Sequence, residues 1–179
     1  MPATDDTVRV NRVKDAHCSY CGNQFPTGLS WPRECAHCGR TTYRNPLPVA
    51  VALLPVRNGG DPPGLAVVRR TIEPHRGRLA LPGGFVDHGE TWQEAAVREL
   101  REETGIPAET EEVRLADVLS DRAGHLLVFG LLAERDISEL PPPAATDETA
   151  GWEFLPAPIE LAFPLHTRAA RCWFDGLYG

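Results

Sequence analysis

The stretch LPGGFVDHGETWQEAAVRELREETG, residues 81–105, decides how the middle of this chain folds. Thr91 followed three residues later by Glu94 is the pattern of an N-terminal capping box. Gly105 stands where a left-handed C-terminal cap is expected. The stretch therefore predicts a helix over residues 92–104 with both of its ends specified.

The predicted helix carries an acidic face. At 100° per residue, Glu99, Glu102 and Glu103 fall within an arc of roughly 100°, beside an apolar stripe. Like charges four residues apart destabilise a helix by a few tenths of a kcal/mol per pair. One interpretation is a solvated face on which Arg98 and Arg101 pair with these acids. The other is a bound divalent cation that removes the repulsion.

The glycines of LPGGF, just before the helix, favour the cation. Two successive glycines let the backbone approach another group closely, so a backbone carbonyl here can join the carboxylates. Hard oxygen ligands in such a cluster suit Mg²⁺ or Mn²⁺. We therefore expect a divalent-metal site between this glycine turn and the helix.

The spacing across the turn and the helix reads G-x5-E-x7-R-E-L-x-E-E-x-G-I, from Gly84 to Ile106. This resembles the box of Nudix hydrolases, in which the positions of Leu100 and Ile106 are aliphatic, and every defined position is filled. The motif itself covers only the short segment from Gly84 to Ile106. The mixed-sheet sandwich of the family also agrees with the strands that the sequence predicts below.

The resemblance implies roles for the box residues. Arg98 and Glu90 would orient the carboxylates through paired hydrogen bonds. The general base would be one of the box glutamates, Glu99 being the family-based candidate, or Glu148 from a later loop, which can also be a plain exposed acid. The Mg²⁺ or Mn²⁺ ligands would be the Gly84 carbonyl and the side chains of Glu99, Glu102 and Glu103.

The implied reaction is metal-assisted attack of water on a diphosphate in a nucleoside diphosphate linked to another group, with release of a nucleoside monophosphate. ADP-ribose, FAD and NADH-like dinucleotides are the expected substrates. Phe85, Phe129 and Trp152 are candidate platforms for an adenine ring, although each also suits a core. The alternatives are a nucleoside triphosphate pyrophosphohydrolase, a non-catalytic nucleotide-sensing module, or a protein that acts through its cysteine-rich segment.

Four of the five cysteines form two knuckles, Cys18-Ser-Tyr-Cys21-Gly and Cys35-Ala-His-Cys38-Gly. Two such pairs, each followed by a glycine that eases the turn, predict a tetrahedral structural zinc site on a small β ribbon. His37 could replace one cysteine as a ligand. Disulfides are the alternative, but nothing in the sequence indicates an oxidising compartment.

The two knuckles extend the resemblance to Nudix enzymes of the NADH pyrophosphatase type, which carry a four-cysteine ribbon before the catalytic domain. The SQPWPFPxS signature of that group is missing, since the corresponding region reads LSDRAGHLLVFG and shares only Ser120 with it. The chain is also similar to a ribbon-bearing group that includes plant FAD pyrophosphatases, through RNPLP, IEPHRGRLALPGGF and LAFPLHTRAARCWF.

The two prolines of TTYRNPLP mark a join, so we expect an N-terminal segment with the zinc ribbon over residues 1–45 and a Nudix hydrolase domain over 46–179. Apolar runs predict strands, and the C-terminal segment predicts a second helix. The expected class is an α/β/α sandwich with a mixed sheet. The predicted strands cover 49–56, 65–70, a segment within LALPGG, 113–120, 125–133 and 152–156.

The composition and charge of the chain limit the kinds of partner that it can bind. The formal net charge of −7 disfavours a general nucleic-acid partner, capped RNA excepted, whereas a small nucleotide substrate is compatible with a bound metal. No apolar run is long enough to span a bilayer, and MPATDDTVRVNRVKD lacks a signal pattern. We expect a cytoplasmic homodimer without a membrane partner.

Overall fold

The structure is a computed structural model that describes residues 14–178. The chain divides into two compact units, Met1–Asn45 and Pro46–Gly179. The first thirteen residues, which we assigned to the N-terminal segment and in which we found no signal pattern, lie outside the described residues.

The first unit is built around the cysteine knuckles. Strands β1 (Arg33–Glu34) and β2 (Thr41–Thr42) pair antiparallel. A small core of Cys18, Phe25 and Cys35 lies between them and the first knuckle. So few apolar side chains stabilise a fold weakly, and a unit of this size needs a metal or another staple.

The second unit contains nine strands and two helices among the described residues. Neither helix is long and apolar enough to cross a membrane, and the same holds for every helix that the structure describes. Short 3₁₀ turns occur at Thr110–Glu112 and Ile137–Glu139. The elements are β3 (Leu47–Leu53), β4 (Pro55–Arg57), β5 (Gly64–Arg70), β6 (Leu79–Ala80), β7 (Gly83–Phe85), α1 (Trp92–Thr104), β8 (Arg114–Ser120), β9 (His125–Leu131), β10 (Arg135–Asp136), β11 (Thr149–Leu155) and α2 (Pro164–Phe174).

The strands form two mixed sheets. One has the order β7-β3-β9-β8, in which β3 and β9 run parallel and the other pairs are antiparallel. The other has the order β10-β4-β5-β11, with β6 also paired to β5, and only β4 and β10 are parallel in it. Both sheets contribute side chains to the same two cores.

The two helices cover opposite faces of these sheets. Ala50 and Ala52 of β3 belong to the cluster that contains Leu100 of α1, whereas Val51 and Leu53 belong to the cluster that contains the buried alanines of α2. Successive side chains of a strand point to opposite faces, so β3 is buried on both. This confirms the predicted α/β/α sandwich with mixed pairing.

The predicted helix over residues 92–104 is confirmed with both caps. Thr91 Oγ1 accepts from the Glu94 N–H at 3.3 Å, and Glu94 Oε2 accepts from the Thr91 N–H at 2.7 Å. Gly105 has φ 74° and donates to the Arg101 carbonyl.

Two predicted strands are wrong in detail. The run 49–56 was predicted as one strand, but it breaks at Leu54 into β3 and β4, which belong to different sheets. The stretch LALPGG likewise supplies two strands, β6 and β7, one to each sheet. A continuous apolar run carries no periodic signal at the point where it changes sheets, because it is buried throughout.

Candidate active site

Arg98 on α1 lies at the centre of the box residues. Its guanidinium binds Glu90 through two hydrogen bonds of 2.8 and 3.0 Å, and it reaches Glu99 at 2.7 Å and Glu102 at 3.2 Å. It also donates to the backbone carbonyl of Phe85 at 3.0 Å. One side chain therefore ties the helix to the turn that follows β7, which surface ion pairs between neighbouring helical residues would not do.

Glu90 precedes the helix and is held firmly. It accepts the paired bonds from Arg98 and a third from the Asp87 N–H at 3.0 Å. Hydrogen bonding by Arg98 lowers the pKa of Glu90, and the same pairing raises the pKa of Arg98. Both groups are therefore ionised, and their planar, bidentate geometry fixes the orientation of the guanidinium.

Glu103 is buried, with only 6% of its surface exposed. Its Oε2 accepts a hydrogen bond from the backbone N–H of Gly83 at 2.9 Å. Burial, with the charges of Glu99 and Glu148, raises the pKa of Glu103 to about 8, against the opposing effect of the Gly83 N–H. A buried carboxylate with so little compensation is not part of a solvated helix face.

Glu99 lies one helical turn before Glu103 and packs against the glycine turn. A Cβ atom at residue 84 would overlap the Glu99 carboxylate, so any residue larger than glycine would displace that carboxylate. Burial raises the pKa of Glu99, Arg98 lowers it, and the charges of Glu102 and Glu148 raise it. The Gly84 backbone and this carboxylate thus share one cramped space.

Glu102 and Glu148 complete the acidic group from the solvent side. The Glu102 side chain is 54% exposed. Glu148 is exposed and lies in the loop before β11, where its carbonyl accepts from the Thr71 N–H at 2.8 Å. Its charge acts on both Glu99 and Glu103. The loop candidate is therefore electrostatically coupled to the box carboxylates.

These residues fit a divalent cation. The carboxylates of Glu99 and Glu103 have raised pKa values because burial and mutual repulsion disfavour their charge, and a divalent cation would remove that penalty. The donors are all oxygens, which Mg²⁺ and Mn²⁺ prefer. The missing Cβ at Gly84 lets the Glu99 carboxylate approach the backbone at the same point.

The sequence did not single out Arg70, at the end of β5. Its guanidinium carbon lies 5.1 Å from the ring centroid of Phe163, and its Nε donates to the Pro74 carbonyl at 2.9 Å. Its charge lowers the pKa of Glu103, which places it within electrostatic reach of the acidic group. The run RRTIEPHRGR was a usable signal, because it puts cations directly before the glycine turn.

Of the three aromatic residues proposed as platforms for an adenine ring, Phe129 and Trp152 belong to the hydrophobic core instead. Phe129 is fully buried, and Trp152 is 5% exposed with its indole N–H bound to the Pro141 carbonyl. Phe85 is 53% exposed, and its ring lies 6.1 Å from that of His125. Phe85 is therefore the one exposed ring of the three, and since it follows Gly84 in β7 its side chain points to the sheet face opposite Glu99.

The four knuckle cysteines form a separate cluster in the first unit. Their Sγ atoms all lie within 4.8 Å of one another, with Cys18 to Cys38 at 3.8 Å and Cys21 to Cys35 at 3.6 Å. A tetrahedron of sulfurs at about 2.3 Å from zinc has edges of about 3.8 Å, whereas a disulfide needs about 2.05 Å. All four thiols are free, and the cluster suits a metal without His37.

Both knuckles have the same backbone turn. Gly22 and Gly39 have φ of 73° and 68°, and each donates its N–H to the carbonyl of the first cysteine of its knuckle. Backbone N–H groups also lower the pKa of Cys18 to about 6, the Tyr20 N–H acting most strongly. The knuckle turns therefore favour a thiolate, the form that binds zinc, at the first cysteine of each pair, Cys18 and Cys35. Against the Asn23 N–H, burial and the other three sulfurs raise the pKa of Cys21 to about 12.

Comparison with known proteins defines the class. A model of the NUDIX domain matches residues 46–174. The chain belongs to the NUDIX family. The crystal structure of a NUDIX hydrolase from Nitrosomonas europaea superposes with a TM-score of 0.63 at 24% identity, over 89% of this chain and 90% of that one, which supports the fold.

Two relatives carry names that describe an activity. A protein named NAD-capped RNA hydrolase NudC, from Chromobacterium violaceum, is 31% identical over 157 residues, 83% of this chain and 56% of the relative. A protein named ADP-ribose pyrophosphatase, from Methanocaldococcus jannaschii, is 52% identical over 42 residues, 24% of this chain and 25% of that protein. The chain thus spans little more than half of the first relative and a quarter of the second.

Proposed function

We propose that this protein is a divalent-metal-dependent hydrolase that cleaves the diphosphate bond of a nucleoside diphosphate linked to another group, such as ADP-ribose, FAD or a NADH-like dinucleotide, and releases a nucleoside monophosphate. The observation that carries the proposal is the buried Glu103 carboxylate, held by Gly83 within a group of acids and raised in pKa. Such perturbed acids cluster at functional sites.

The proposed Mg²⁺ or Mn²⁺ ligands are the Gly84 carbonyl and the side chains of Glu99, Glu102 and Glu103. When bound, the metal would neutralise the diphosphate and lower the pKa of the attacking water. Arg98 and Glu90 hold the carboxylates in place through the bonds described above. Arg70, whose charge acts on Glu103, supplies a positive charge for the substrate's phosphates.

Two carboxylates are candidates for the general base. The Glu99 side chain is only 14% exposed, and its raised pKa suits a group that takes up a proton, but Arg98 occupies one of its oxygens. Glu148 is exposed on a loop and acts electrostatically on the same site. Glu148→Gln separates them. A fall in turnover with unchanged Mn²⁺ affinity makes Glu148 the base, whereas unchanged turnover leaves Glu99, which is also a proposed ligand and whose own variant should lose both turnover and metal affinity.

The choice of substrate rests on the relatives and on one aromatic ring. The two names that describe an activity, one for NAD-capped RNA and one for ADP-ribose, share an adenosine diphosphate linked to another group. Phe85 is the exposed one of the three candidate rings, and an exposed ring provides a face on which a nucleobase can stack. These features support an ADP-linked substrate. Capped RNA is the one nucleic acid that we expect to bind, because its cap can contain the same linkage.

The remaining parts of the proposal concern the ribbon and the assembly. The proposed ion of the four cysteines is zinc in a structural role, because four thiolates leave no open position for water. We also propose that the boundary between ribbon and hydrolase domain lies at residue 45 and that the protein forms a homodimer. We place the protein in the cytoplasm, where four thiols stay reduced.

A substrate panel tests the proposed function. NADH, NAD, FAD, ADP-ribose, dinucleoside polyphosphates, capped RNA and nucleoside triphosphates are incubated with the protein and Mg²⁺ or Mn²⁺, and products are resolved by mass. We expect AMP and a second phosphorylated product from an ADP-linked compound, without strict preference for NADH. Faster conversion of triphosphates to monophosphate and pyrophosphate would replace the proposal by a triphosphate hydrolase. Metal-dependent nucleotide binding without cleavage would indicate a sensing module.

A further inference from the structure

The short segment from Leu81 to Gly84, which we call the glycine crossing, passes from one sheet to the other. β6 ends at Ala80 in the sheet of β5, and β7 begins at Gly83 in the sheet of β3. Leu81 and Pro82 lie in neither strand, so no sheet ladder fixes them. The crossing nevertheless positions Gly84, three residues after Leu81, against Glu99.

Individual hydrogen bonds hold Leu81 and Pro82, whereas the two glycines of the crossing pair with β3. The Leu81 N–H donates to Nδ1 of His166 at 3.3 Å, and the Pro82 carbonyl accepts from the Ala52 N–H at 2.8 Å. The Gly83 N–H donates to Glu103. Proline has no N–H, so the two available donors before Gly84 are bound by one side chain from α2 and one from α1.

His166 is well placed to act as a fixed acceptor. It lies in the first turn of α2, is 5% exposed, and packs against the rings of Phe163 at 5.0 Å and Phe129 at 6.0 Å. Burial lowers the pKa of His166 to about 3, so the ring is neutral and Nδ1 has a free lone pair. A neutral imidazole that accepts at Nδ1 carries its proton on Nε2.

We propose that His166 is a positioning residue, which holds the glycine crossing from the side opposite α1 so that the Gly84 carbonyl and the Glu103 carboxylate keep a fixed separation. The inference rests on the proposed function, because these two groups matter together as ligands of one metal ion. His166 accepts from the Leu81 N–H, three residues before Gly84, so the imidazole acts on the ligands through Leu81. Groups that orient metal ligands in this way typically change metal affinity by about 10- to 100-fold when removed.

Matched variants isolate the acceptor. His166→Leu keeps a branched side chain and removes the acceptor, whereas His166→Asn retains an oxygen at the bond position of Nδ1. His166→Gln keeps a polar group but moves the acceptor one bond farther, and it serves if the leucine variant does not fold. The control is Thr167→Val, because Thr167 Oγ1 accepts the Leu161 N–H at 2.9 Å and is also buried, but anchors no part of the crossing.

The first measurement is Mn²⁺ binding to the full chain, followed by the paramagnetic signal of free Mn²⁺. We expect His166→Leu or His166→Gln to weaken binding by about tenfold or more, with His166→Asn recovering most of it and Thr167→Val remaining within about twofold of the wild type. With substrate, turnover should fall in the loss variants while KM changes little, since the crossing positions metal ligands and not the nucleoside.

The second measurement is amide hydrogen exchange in metal-free protein. Loss of the His166 acceptor should accelerate exchange at Leu81 and also at Gly83, whereas Thr167→Val should leave Gly83 unchanged. If the loss variants bind Mn²⁺ as Thr167→Val does and Gly83 exchange is unaltered, the inference is overturned. If wild-type protein binds no Mn²⁺, the proposed function fails, and exchange at Gly83 alone decides whether His166 positions the crossing.

Discussion

The backbone N–H of Gly83 donates a hydrogen bond to Oε2 of Glu103 at 2.9 Å. This bond joins the first residue of β7 to the last turn of α1, across 20 residues of the chain. It partly offsets the cost of burying the Glu103 carboxylate. The relationship explains why a helix with repelling acids persists, since the buried acid is part of a site and not of a surface.

The pH dependence of stability in metal-free protein should report on Glu103. Its folded-state pKa is raised to about 8 from an ordinary value near 4.5, so the folded protein binds the proton more tightly than the unfolded chain. The contribution to stability is present below pH 4.5 and is lost as the pH rises to about 8, by a few kcal/mol at most. Chemical denaturation at pH 5 and pH 8 should show this loss, and Glu103→Gln should reduce it. An equal loss in both proteins would contradict the assignment.

Glu102→Gln tests whether the exposed acid serves the site. The substitution keeps the shape and removes one negative charge, so Mg²⁺ binding should weaken and turnover should fall about 100-fold or more. The free energy of unfolding should hold or rise by a few tenths of a kcal/mol as repulsion is relieved. Glu109→Gln, which removes an exposed charge outside the site, is the control for kinetics with titrated Mg²⁺. Near-normal turnover of Glu102→Gln at saturating Mg²⁺ would mean that this acid only solvates the helix.

Gly84→Ala tests the close approach of backbone and carboxylate. The added methyl group would overlap the Glu99 carboxylate and displace it, so metal binding and turnover should both be lost or strongly reduced. The matched control is Gly60→Ala, where an added Cβ meets nothing within 4 Å. Isothermal titration with Mn²⁺ measures both variants, and wild-type affinity in Gly84→Ala would refute the shared site.

Cys35→Ser tests the separation of the two metal sites. Cys35 is fully buried in the ribbon core, so the variant should release zinc, measured by elemental analysis, and destabilise the first unit. Mn²⁺ affinity of the second unit should stay within about twofold of the wild type, because the proposed Mn²⁺ ligands all lie on other residues. Freshly purified reduced wild-type protein without zinc, or with disulfides, would contradict the structural-zinc proposal.

Local signals account for what the sequence predicted well. The helix α1 is specified by its own caps, Thr91, Glu94 and Gly105, so its ends could be placed without knowledge of the rest of the fold. The box spacing likewise lies within one turn and one helix. The knuckle glycines, Gly22 and Gly39, similarly sit in the left-handed conformation that their positions indicated.

Long-range contacts account for what it did not predict. The bond from Leu81 to His166 joins residues 85 apart, and a histidine in an apolar helix carries no signal of its partner. The choice of Phe85 over Phe129 depends on which strand lies at the sheet edge: β7 is an edge strand, and β9 is interior. The break at Leu54 depends on sheet pairing, which apolar composition does not encode.

The most direct test of the central claim is AMP release from ADP-ribose, measured by mass with wild-type protein, Glu103→Gln and the control Glu109→Gln. With Mg²⁺ or Mn²⁺ we expect AMP and ribose 5-phosphate from the wild type and from Glu109→Gln, little from Glu103→Gln, and none from any of them in EDTA. Equal AMP release in EDTA, or full activity of Glu103→Gln at saturating metal, would contradict the claim that this acidic group acts by holding a divalent cation.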